Sequence, residues 1–540
     1  MMLISQEVLK MNYVRNLFIL TYLCVSFSFS QSSNWWVFLE DKDCQPLIAL
    51  SDRAIDRRVK QNIEIDIHDF SICPDYIDSL KQLKISIRHQ LKWFNAVSVS
   101  VSSDNDLKEI KKLHFVKDVR PVCKMVKQKN IDVRSLDFSP KNAYRTSLSL
   151  PYGVSLNQIQ MLGGHDLHNE GFLGHDMIIA VFDAGFTSVD KLPVFDSLWN
   201  NNKILDMYDF VDNDTDVFGG SSHGTMVLST MGGYMIDSLI GTAPEASYML
   251  FRTEDSSSET LVEEDNWAAA AEYADSAGVD IINSSLGYTI LYDDLLNSHS
   301  YSDMDGNSTI VTNAADLAAS RGMLVVNSGG NSGNSDWYYI GAPADGDSVL
   351  SVGAVNSFGE IASFSSRGPS YDGRVKPNIC AQGVASVVAD LDSTIRVANG
   401  TSFSAPIIAG LSACLWSSDT TLNNMDLLNL IESSAHLFAN PNDSLGYGIP
   451  NFYMAYLNNS KLDSYESFLD IYPNPFQEVL NIDNNHNMSF SFDIFNLYGV
   501  IVFSGQVNSF MRINELSGLK SGVYILKIKN QDIFYPIIKM

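Results

Sequence analysis

Between residues 150 and 455, short apolar runs alternate with longer segments that have helical spacing or helix-forming composition. Continuous apolar strands separated by helices are typical of a parallel sheet with helices packed on both faces. We therefore predict an α/β fold with a doubly wound, mostly parallel sheet for this central block. Its predicted strands lie in the runs MIIAVFD, SYMLFR, VDIINSS, GMLVVNSGG and SVLSVGAV.

A sheet of this kind binds its ligands beyond the carboxyl ends of its strands, and three candidate residues fall at suitable places. Asp183 closes the run IIAVFD, His223 begins a predicted helix in HGTMVLSTMGG, and Ser402 precedes an apolar run in GTSFSAPIIAG. Each residue also has an ordinary structural interpretation. Asp183 is compatible with a turn and His223 with a buried structural histidine. Ser402 is compatible with a helix cap, with Pro406 tolerated near the helix start because early N–H groups lack partners.

The order of these three residues along the chain favours catalysis. Aspartate, histidine and serine, in that order, form one of the known serine triads. An imidazole accepts and returns a proton near neutral pH, and the small residues around Ser402 leave room for a substrate. One face of the predicted sheet could therefore gather a carboxylate, an imidazole and a hydroxyl.

The segments FDAGF, HGT and GTSFSAP resemble the three signature blocks of the subtilisin-like serine proteases, or subtilases. Six further blocks follow the order that this family uses: GTAP at 241–244, INSSLG at 282–287, VVNSGGNSG at 325–333, SVGAV at 351–355, FSSRGP at 364–369 and KPNICAQG at 376–383. The resemblance implies a subtilisin-like catalytic domain, which we place at residues 150–457. It also implies a secreted serine endopeptidase that cuts protein or peptide substrates through an acyl-enzyme intermediate.

The resemblance further implies a role for each site residue. Ser402 is expected to attack the peptide carbonyl, His223 to take its proton, and Asp183 to orient the imidazole. The side-chain amide of Asn331 is expected to stabilise the oxyanion, although a turn residue beside glycines is the ordinary interpretation. The implied substrate-binding residues are Ser285, Leu286 and Gly287 beside the peptide backbone, and Ser328, Gly329 and Gly330 in the wall of the pocket for the residue before the scissile bond. Both stretches are also compatible with tight loops.

One position departs from the family pattern. Most subtilases place Ser or Thr directly after the catalytic aspartate, whereas this chain has Ala184. A hydroxyl that could hydrogen-bond the carboxylate is absent, so the tuning of Asp183 is expected to differ. The alternative hypothesis is a catalytically impaired subtilase fold that serves as a peptide-binding or surface adhesion module. The four intact residues of the predicted site argue against it, because binding alone does not require a proton-transfer set.

Two acidic segments have oxygen ligands of the kind that calcium binds, DNDTD at 212–216 and DMDGN at 303–307. Neither has the full twelve-residue pattern with its terminal Glu, so solvated acidic loops are the favoured interpretation. We predict no metal among the site residues and no cofactor for catalysis. Calcium, if bound, would only stabilise the fold.

The N-terminal region divides into three predicted segments. Residues 1–30 read as a signal peptide, because Lys10 and Arg15 precede the apolar run LFILTYLCVSFSFS. Residues 34–125 mix strand and helix patterns and predict a small α+β domain, which in position and pattern resembles a subtilase propeptide. The resemblance implies an inhibitor whose basic stretches face an acidic catalytic surface; a retained accessory domain is the alternative. Residues 126–149 are predicted to be a linker and maturation zone.

Residues 466–540 change to short alternating strands between Gly and Asn turns, which predicts a small β-sandwich. YPNPF, IFNLYGVIVFSG and INELSGLKSGVYILKI resemble the sorting domain of the type IX secretion system. That resemblance implies the type IX secretion machinery as a partner and export through a Gram-negative periplasm to the cell surface or medium. A substrate-binding β-sandwich is the competing hypothesis.

Charge and cysteine content exclude other classes. Residues 151–460 contain 8 Lys+Arg against 38 Asp+Glu, a net charge of 8 − 38 = −30, and such a surface repels nucleic acid. Six cysteines at 24, 44, 73, 123, 380 and 414 are too few and too scattered for a disulfide scaffold, and the pairing of Cys380 and Cys414 stays open. Beyond the signal, no continuous apolar stretch reaches the length of a membrane span, so we expect a soluble mature protein.

Overall fold

The computed structural model describes residues 33–44, 47–123, 150–256, 262–289, 298–464, 469–484, 489–496, 500–529 and 534–540. The chain divides into two compact units, Met1–Tyr456 and Leu457–Met540. The predicted signal peptide at 1–30 and linker at 126–149 lie outside the described residues. In the part of the chain that the structure describes, no helix is long and apolar enough to cross a membrane.

The N-terminal part of the first unit is an α+β domain, as the sequence predicts. Its four strands pair antiparallel in the order β2-β3-β1-β4. The elements are β1 Ser33–Leu39, α1 Asp52–Lys60, a 3-10 helix at Ile67–Asp69, α2 Pro74–Gln82, β2 Ser86–Leu91, β3 Ala96–Val101, α3 Asp104–Ile110 and β4 Val116–Cys123. Neighbouring residues of a strand point to opposite faces, so Val37 packs against helix residues such as Leu80 and Ile110, whereas Trp36 points away from them.

A seven-stranded sheet forms the centre of the first unit. All neighbouring strands pair parallel, in the order β13-β12-β11-β10-β5-β9-β6. The strands are β5 Ile178–Asp183, β6 Ile204–Asp209, β9 Ser247–Arg252, β10 Ile281–Ser284, β11 Leu324–Ser328, β12 Val349–Val355 and β13 Ile379–Gln382. Two hairpins lie beside it, β7 Tyr234–Met235 with β8 Leu239–Ile240, and β14 Ser386–Ala389 with β15 Ile395–Ala398. The predicted doubly wound parallel sheet is confirmed.

Helices cover both faces of this sheet. In β5, Ile179 and Val181 belong to one hydrophobic core, while Ala180 and Phe182 belong to a second core on the opposite face. The helices are α4 Leu156–Gln160, α5 Gly164–Asn169, α6 Asp196–Asn200, α7 His223–Gly232, α8 Val262–Ala277, α9 Ile310–Ser320, α10 Thr401–Ser418, α11 Asn424–Ser433 and α12 Phe452–Ser464, with 3-10 helices at Pro193–Phe195 and Tyr301–Asp303. Helices α7 and α10 contribute to the first core, and α8 and α9 contribute to the second. Burial on both faces explains why the strands are continuously apolar.

The strand order reverses at β5. Its neighbours β9 and β10 are consecutive strands of the sheet, and they lie on opposite sides of it. Parallel α/β sheets open a crevice at the carboxyl ends of the strands at such a switch point. Asp183, the last residue of β5, therefore lies where a sheet of this kind places its ligand site.

The N-terminal domain packs on α8 and α9. Trp36, Leu91 and Trp93 share the second core with Trp267 and Ala315. Polar contacts surround this apolar contact: the Glu272 carboxylate accepts hydrogen bonds from the backbone N–H groups of Lys92 at 2.8 Å and Trp93 at 2.9 Å. The N-terminal domain is thus bound to the outer helices of the central sheet by an apolar core and by buried hydrogen bonds.

An ion network links α1 to α8. The Arg57 guanidinium contacts Asp275 at 2.5 Å, and Arg58 contacts Asp275 at 3.0 Å and Asp69 at 2.7 Å. Asp69 and Asp275 are fully buried, and Arg321 of the central part contacts Asp69 at 3.5 Å. Basic residues of the N-terminal domain therefore bind an acidic residue of the central part.

The cysteines form one disulfide among the described residues, between Cys44 and Cys73 of the N-terminal domain, with Cα atoms 5.8 Å apart. The sequence did not predict this bond, because the distance between two cysteines in the fold does not follow from a separation of 29 residues. Cys380 and Cys414 are both buried and free. The central part, which contains no other cysteine, is therefore reduced throughout.

The second unit consists of two antiparallel sheets, β16-β17-β20 and β19-β18-β21-β22. Its elements are β16 Leu469–Tyr472, β17 Leu480–Asn484, β18 Phe490–Asn496, β19 Ile501–Val507, β20 Phe510–Ile513, a 3-10 helix at Glu515–Gly518, β21 Gly522–Ile528 and β22 Phe534–Lys539. Residues of both sheets, among them Ile482 and Ile494, bury their side chains in one shared core. This arrangement is the predicted small β-sandwich.

Candidate active site

Asp183 and His223 meet at the carboxyl edge of the sheet. The imidazole Nδ1 lies 2.9 Å from Oδ1 and 3.0 Å from Oδ2 of the Asp183 carboxylate. Asp183 is fully buried, whereas 30% of the His223 side chain is exposed. Because Nδ1 donates to the carboxylate, Nε2 is left as the proton acceptor of the neutral ring, directed away from Asp183.

A glycine allows this close approach. Gly224 follows His223 at the start of α7, and a Cβ at this position would lie 2.5 Å from the Gly185 carbonyl oxygen and 2.9 Å from the Asp183 Cβ. Any larger residue would therefore push α7 away from β5. The glycine in HGT is thus required by the close packing of α7 on β5, independently of the chemistry of the histidine.

The environment of His223 favours its protonated form. Burial lowers the pKa of His223, whereas the nearby Asp183 carboxylate raises it, both by its charge and by its hydrogen bond. Glu254 adds a further upward contribution, so the pKa of His223 lies above its ordinary value. A raised pKa makes the imidazole a stronger proton acceptor.

Ser402 is the second residue of α10 and is 8% exposed. Pro406 lies beyond the helical positions whose N–H groups lack partners, so the expectation that it occupies such a position is wrong. Its missing N–H would have bonded the carbonyl of Ser402. That carbonyl instead accepts a hydrogen bond from the Ser285 hydroxyl at 2.9 Å. Because of the proline, the Ser402 carbonyl is free to accept this hydrogen bond, which connects α10 to the segment after β10.

The start of α10 lies beside the start of α7. The ring of Phe403, which follows Ser402, packs on the His223 ring with a centroid distance of 5.7 Å. The Ser402 hydroxyl lies 3.5 Å from the Ser285 carbonyl oxygen. Within the described residues, no hydrogen bond joins Ser402 to His223. Serine and histidine are neighbours in space, and the hydroxyl is oriented toward Ser285.

Asn331 is held by the residue before Ser402. Its Oδ1 accepts hydrogen bonds from the Thr401 backbone N–H at 2.9 Å and from the Thr401 hydroxyl at 3.0 Å. The Nδ2 group is thereby left to donate elsewhere. Gly400 has a φ of +151°, and a Cβ there would lie 3.7 Å from both Asn331 Nδ2 and Ser402 Oγ. A glycine therefore leaves open the space that the amide and the hydroxyl both border.

The predicted substrate-binding segments lie against each other. The carbonyl of Leu286 accepts hydrogen bonds from Asn327 Nδ2 at 3.0 Å and from the Ser328 hydroxyl at 3.3 Å. Gly330 donates its backbone N–H to the Thr401 hydroxyl at 3.2 Å, and Gly329 donates to the Val352 carbonyl at 2.8 Å. Ser285 and Leu286 are buried, whereas Gly287 is exposed. The two segments form adjoining walls beside Ser402.

Ala184 lies directly after the buried carboxylate. Its backbone N–H donates to Asp183 Oδ1 at 2.8 Å, and its side chain has no polar atom to add. The carboxylate therefore receives hydrogen bonds from His223 and from the Ala184 backbone, and residue 184 has no hydroxyl to add one.

The two acidic segments have internal partners. Asp212 contacts the Arg252 guanidinium at 2.7 Å, and Asp305 accepts backbone hydrogen bonds from Asn307 at 2.9 Å and from Ser308 at 2.8 Å. Among the described residues, no group of three or more His, Cys, Asp or Glu side chains is arranged to hold a metal ion.

Sequence reasoning missed Thr401 as a contributor to the site, and it named Ser285 without the contact that its hydroxyl makes. Thr401 orients Asn331, and the hydroxyl of Ser285 bonds the carbonyl that Pro406 leaves unpaired. Both residues lie inside segments that the sequence analysis singled out, GTSFSAP and INSSLG. A proline four residues after the serine was the available signal for an unpaired carbonyl.

A parallel sheet with a carboxylate–imidazole pair at its carboxyl edge, and a serine at the start of a nearby helix, is typical of a serine hydrolase. The pattern of the subtilase family, Peptidase S8, matches residues 174–448. The chain therefore belongs to the subtilase family and is a serine-type endopeptidase.

The flanking regions match two further families. The Peptidase S8 propeptide domain of Bacteroidota matches residues 34–137, and the secretion system C-terminal sorting domain matches residues 470–537. The first match extends beyond residue 125, where we placed the end of the N-terminal domain. The sorting domain implies export to the cell surface or the medium.

Three similar proteins illustrate the family. Subtilisin E of Bacillus subtilis (strain 168) is 28% identical over 358 residues, which cover 66% of this chain and 79% of the relative. Subtilisin of Bacillus pumilus is 30% identical over 53% of this chain and 92% of the relative. The thermophilic serine proteinase of Bacillus sp. (strain AK1) is 31% identical over 51% of this chain and 61% of the relative.

Proposed function

We propose that this chain is the precursor of an exported endopeptidase in which Asp183, His223 and Ser402 form the catalytic triad. The observation that carries the proposal is the hydrogen-bonded Asp183–His223 pair, beside which α10 begins. Asp183 holds the imidazole so that Nε2 accepts a proton, and the raised pKa of His223 strengthens it as a base.

In the first step, the Ser402 hydroxyl rotates from Ser285 toward His223 and attacks the carbonyl carbon of the scissile bond. His223 Nε2 takes the hydroxyl proton as the new C–O bond forms, and the carbonyl becomes an oxyanion. His223 then gives this proton to the leaving amine, and an acyl-enzyme on Ser402 is formed. Water attacks the acyl group by the same proton route and releases the carboxylic acid.

Asn331 stabilises the oxyanion in this scheme. Thr401 fixes its Oδ1, so Nδ2 is available to donate into the space that Gly400 leaves open beside Ser402. A donor fixed in advance needs no reorganisation during the reaction, and removal of such a donor typically costs ~100- to 1000-fold in turnover.

The substrate lies extended along the segment Ser285, Leu286 and Gly287, and the residue before the scissile bond enters the pocket bounded by Ser328, Gly329 and Gly330. The N-terminal domain acts as the chain's own inhibitor until the linker is cut. The C-terminal domain directs export through the periplasm by the type IX secretion machinery. A binding-only role finds no support in the matched families.

The decisive variant is Ser402→Ala. Loss of the nucleophile is expected to lower the hydrolysis of a quenched fluorescent peptide library by up to about a millionfold, as in subtilisin. The matched control is Ser404→Ala, two residues along α10, whose buried hydroxyl bonds only the Thr401 carbonyl. The control should keep its activity, and a serine-directed phosphonate should label the native protein and the control but not Ser402→Ala. Undiminished hydrolysis by Ser402→Ala would refute the assignment.

A further inference from the structure

The proposed substrate-binding segment, residues 285–287, is held on both sides by contacts that lead to helix α8. Before the segment, the Trp267 indole N–H of α8 donates to the Ser284 hydroxyl at 3.1 Å, and both residues are buried. After the segment, His299 donates its backbone N–H to the Thr289 carbonyl at 3.2 Å. The His299 imidazole in turn contacts the first turn of α8. One helix therefore fixes the chain before and after the segment.

The contact of His299 with α8 is short and well shielded from solvent. The imidazole Nε2 lies 2.5 Å from Oε1 of Glu264, and the two side chains are only 15% and 4% exposed. Oε2 of the same carboxylate accepts the backbone N–H of Val311 at 3.2 Å. Val311 is the second residue of α9, where helical N–H groups otherwise lack partners. The Glu264 carboxylate is thus fixed by α9 and presents its other oxygen to His299.

The surroundings of His299 favour its protonated form. Burial lowers the pKa of His299, whereas the hydrogen bond and the charge of Glu264 raise it. The carboxylates of Asp303 and Asp345 raise it further, so the pKa of His299 lies above its ordinary value. A hydrogen bond between a charged donor and a charged acceptor is stronger than one between neutral groups. The Glu264–His299 pair is therefore stronger than a neutral contact of the same geometry.

The exposed end of the segment has backbone groups to offer to a substrate. Tyr288 exchanges two backbone hydrogen bonds with Ala342, at 2.8 and 3.1 Å, which fix the chain directly after Gly287. Gly287 is exposed, and within the described residues neither its N–H nor its C=O bonds to another backbone group. These two groups are available to pair with an extended peptide. Such pairing requires that the segment keep the course that its two ends impose.

We propose that Glu264 and His299 form a positioning pair, which holds this segment in place for the peptide residues upstream of the scissile bond. The proposal rests on the proposed function, because it uses the same segment as the wall beside the substrate. The pair acts through the Thr289 carbonyl, which the His299 backbone holds. Its loss should weaken the binding of upstream residues and leave the chemical step unchanged.

The test compares a long and a short substrate of the processed enzyme, collected from the medium after export of the full chain. The long peptide has four residues before the scissile bond, the short peptide has only the last of them, and both carry the same fluorescent leaving group. Only the long peptide extends along the segment.

His299→Ala removes the imidazole but keeps the backbone N–H that bonds Thr289. KM for the long peptide should rise roughly tenfold, the effect of one or two hydrogen bonds, while its kcat stays within about twofold of the native value. The short peptide should keep its kcat/KM within about twofold, because it does not reach the part of the segment that the pair holds.

Two further variants show whether the side chains act as a pair. Glu264→Ala should raise KM for the long peptide as His299→Ala does, and the double variant should be no worse than Glu264→Ala, because each single change already breaks the pair. The matched control is His165→Ala, which removes an imidazole on α5 that lies 3.2 Å from the Asp166 carboxylate. The control should keep the native KM for both peptides.

The outcomes separate the positioning pair from the peptidase mechanism. The proposal is overturned if His299→Ala leaves KM of the long peptide unchanged, or if it weakens the long and the short peptide equally. Labelled peptides that end at the residue before the scissile bond occupy the cleft without being cut, and their fluorescence anisotropy gives Kd. A roughly tenfold higher Kd of the long peptide in His299→Ala, in a protein that cuts neither substrate, would support the positioning pair and refute the peptidase mechanism.

Discussion

Single hydrogen bonds made by neighbouring residues hold the parts of this site in place. Pro406 leaves the Ser402 carbonyl for Ser285, Thr401 fixes one end of the Asn331 amide, and Ala184 supplies only a backbone N–H to Asp183. Ala184 directly follows Asp183 and Thr401 directly precedes Ser402, two residues of the proposed triad. The residues beside the proposed triad therefore determine much of the hydrogen bonding at the site.

Restoring a hydroxyl at position 184 tests this tuning. Ala184→Ser adds a donor for the Asp183 carboxylate, which stabilises the negative charge and weakens its pull on the His223 proton. His223 must be neutral to act as a base, so activity rises as pH increases through its pKa. The raised pKa of His223 should fall, and the acidic limb of the kcat/KM profile should move to lower pH by less than about one unit.

The control for this variant is its thermal unfolding midpoint, which should match that of the native protein. An acidic limb that stays in place, or moves to higher pH, would show that the missing hydroxyl does not set the basicity of His223.

For individual residues, the sequence predicted that Asp183 ends a strand and that His223 begins a helix, because hydrophobic periodicity along the chain carries that information. It did not predict the contacts of Thr401 and Ser285. These contacts join segments about 70 and 117 residues apart, and only the packed sheet brings them together. The catalytic roles of Asp183, His223, Asn331 and Ser402 stay predictions.

Among the elements, helix α1 has ion pairs of very different burial at the contact between the N-terminal domain and the central part. Arg58 is buried with Asp69 and Asp275, whereas Arg53 on the same helix pairs with Asp280 while 40% of its side chain is exposed. Breaking a buried ion pair leaves an unpaired charge, but breaking an exposed pair costs little. The two arginines thus provide a matched comparison within one helix.

Arg58→Met, in the full-length Ser402→Ala protein so that no maturation occurs, should lower the free energy of unfolding by about 3–5 kcal/mol. Arg53→Met should lower it by about 1 kcal/mol or less. Urea unfolding followed by tryptophan fluorescence measures both, since Trp36 and Trp93 are buried against the central part. Equal effects of the two variants would contradict a network that holds the N-terminal domain in place.

The whole molecule consists of two compact units, and each has its own hydrophobic core. The apolar strand pattern predicted the central sheet because both of its faces are buried, and the alternating pattern predicted the terminal sandwich because one face of each sheet is exposed. The Cys44–Cys73 bond escaped prediction, since it depends on how α2 folds back toward β1. The domain boundaries stay predictions.

A chain that ends at residue 464 tests whether the first unit alone is sufficient for peptide hydrolysis and whether the second unit is needed for export. The first unit retains its complete core, so kcat/KM of the purified protein should stay within about twofold of the native value. The truncated protein should no longer reach the medium, whereas full-length Ser402→Ala should be exported normally. Immunoblots of cell and medium fractions measure this. Export of the truncated chain at the native level would contradict a sorting role for residues 466–540.

The N-terminal domain and the central part differ in the redox state of their cysteines. Cys44 and Cys73 cross-link only the N-terminal domain, while both thiols of the central part are sealed from solvent and unpaired. Under the proposed maturation, the disulfide would leave with the N-terminal domain. We therefore expect reducing conditions to weaken the N-terminal domain of the precursor, while the described central part has no disulfide to be reduced.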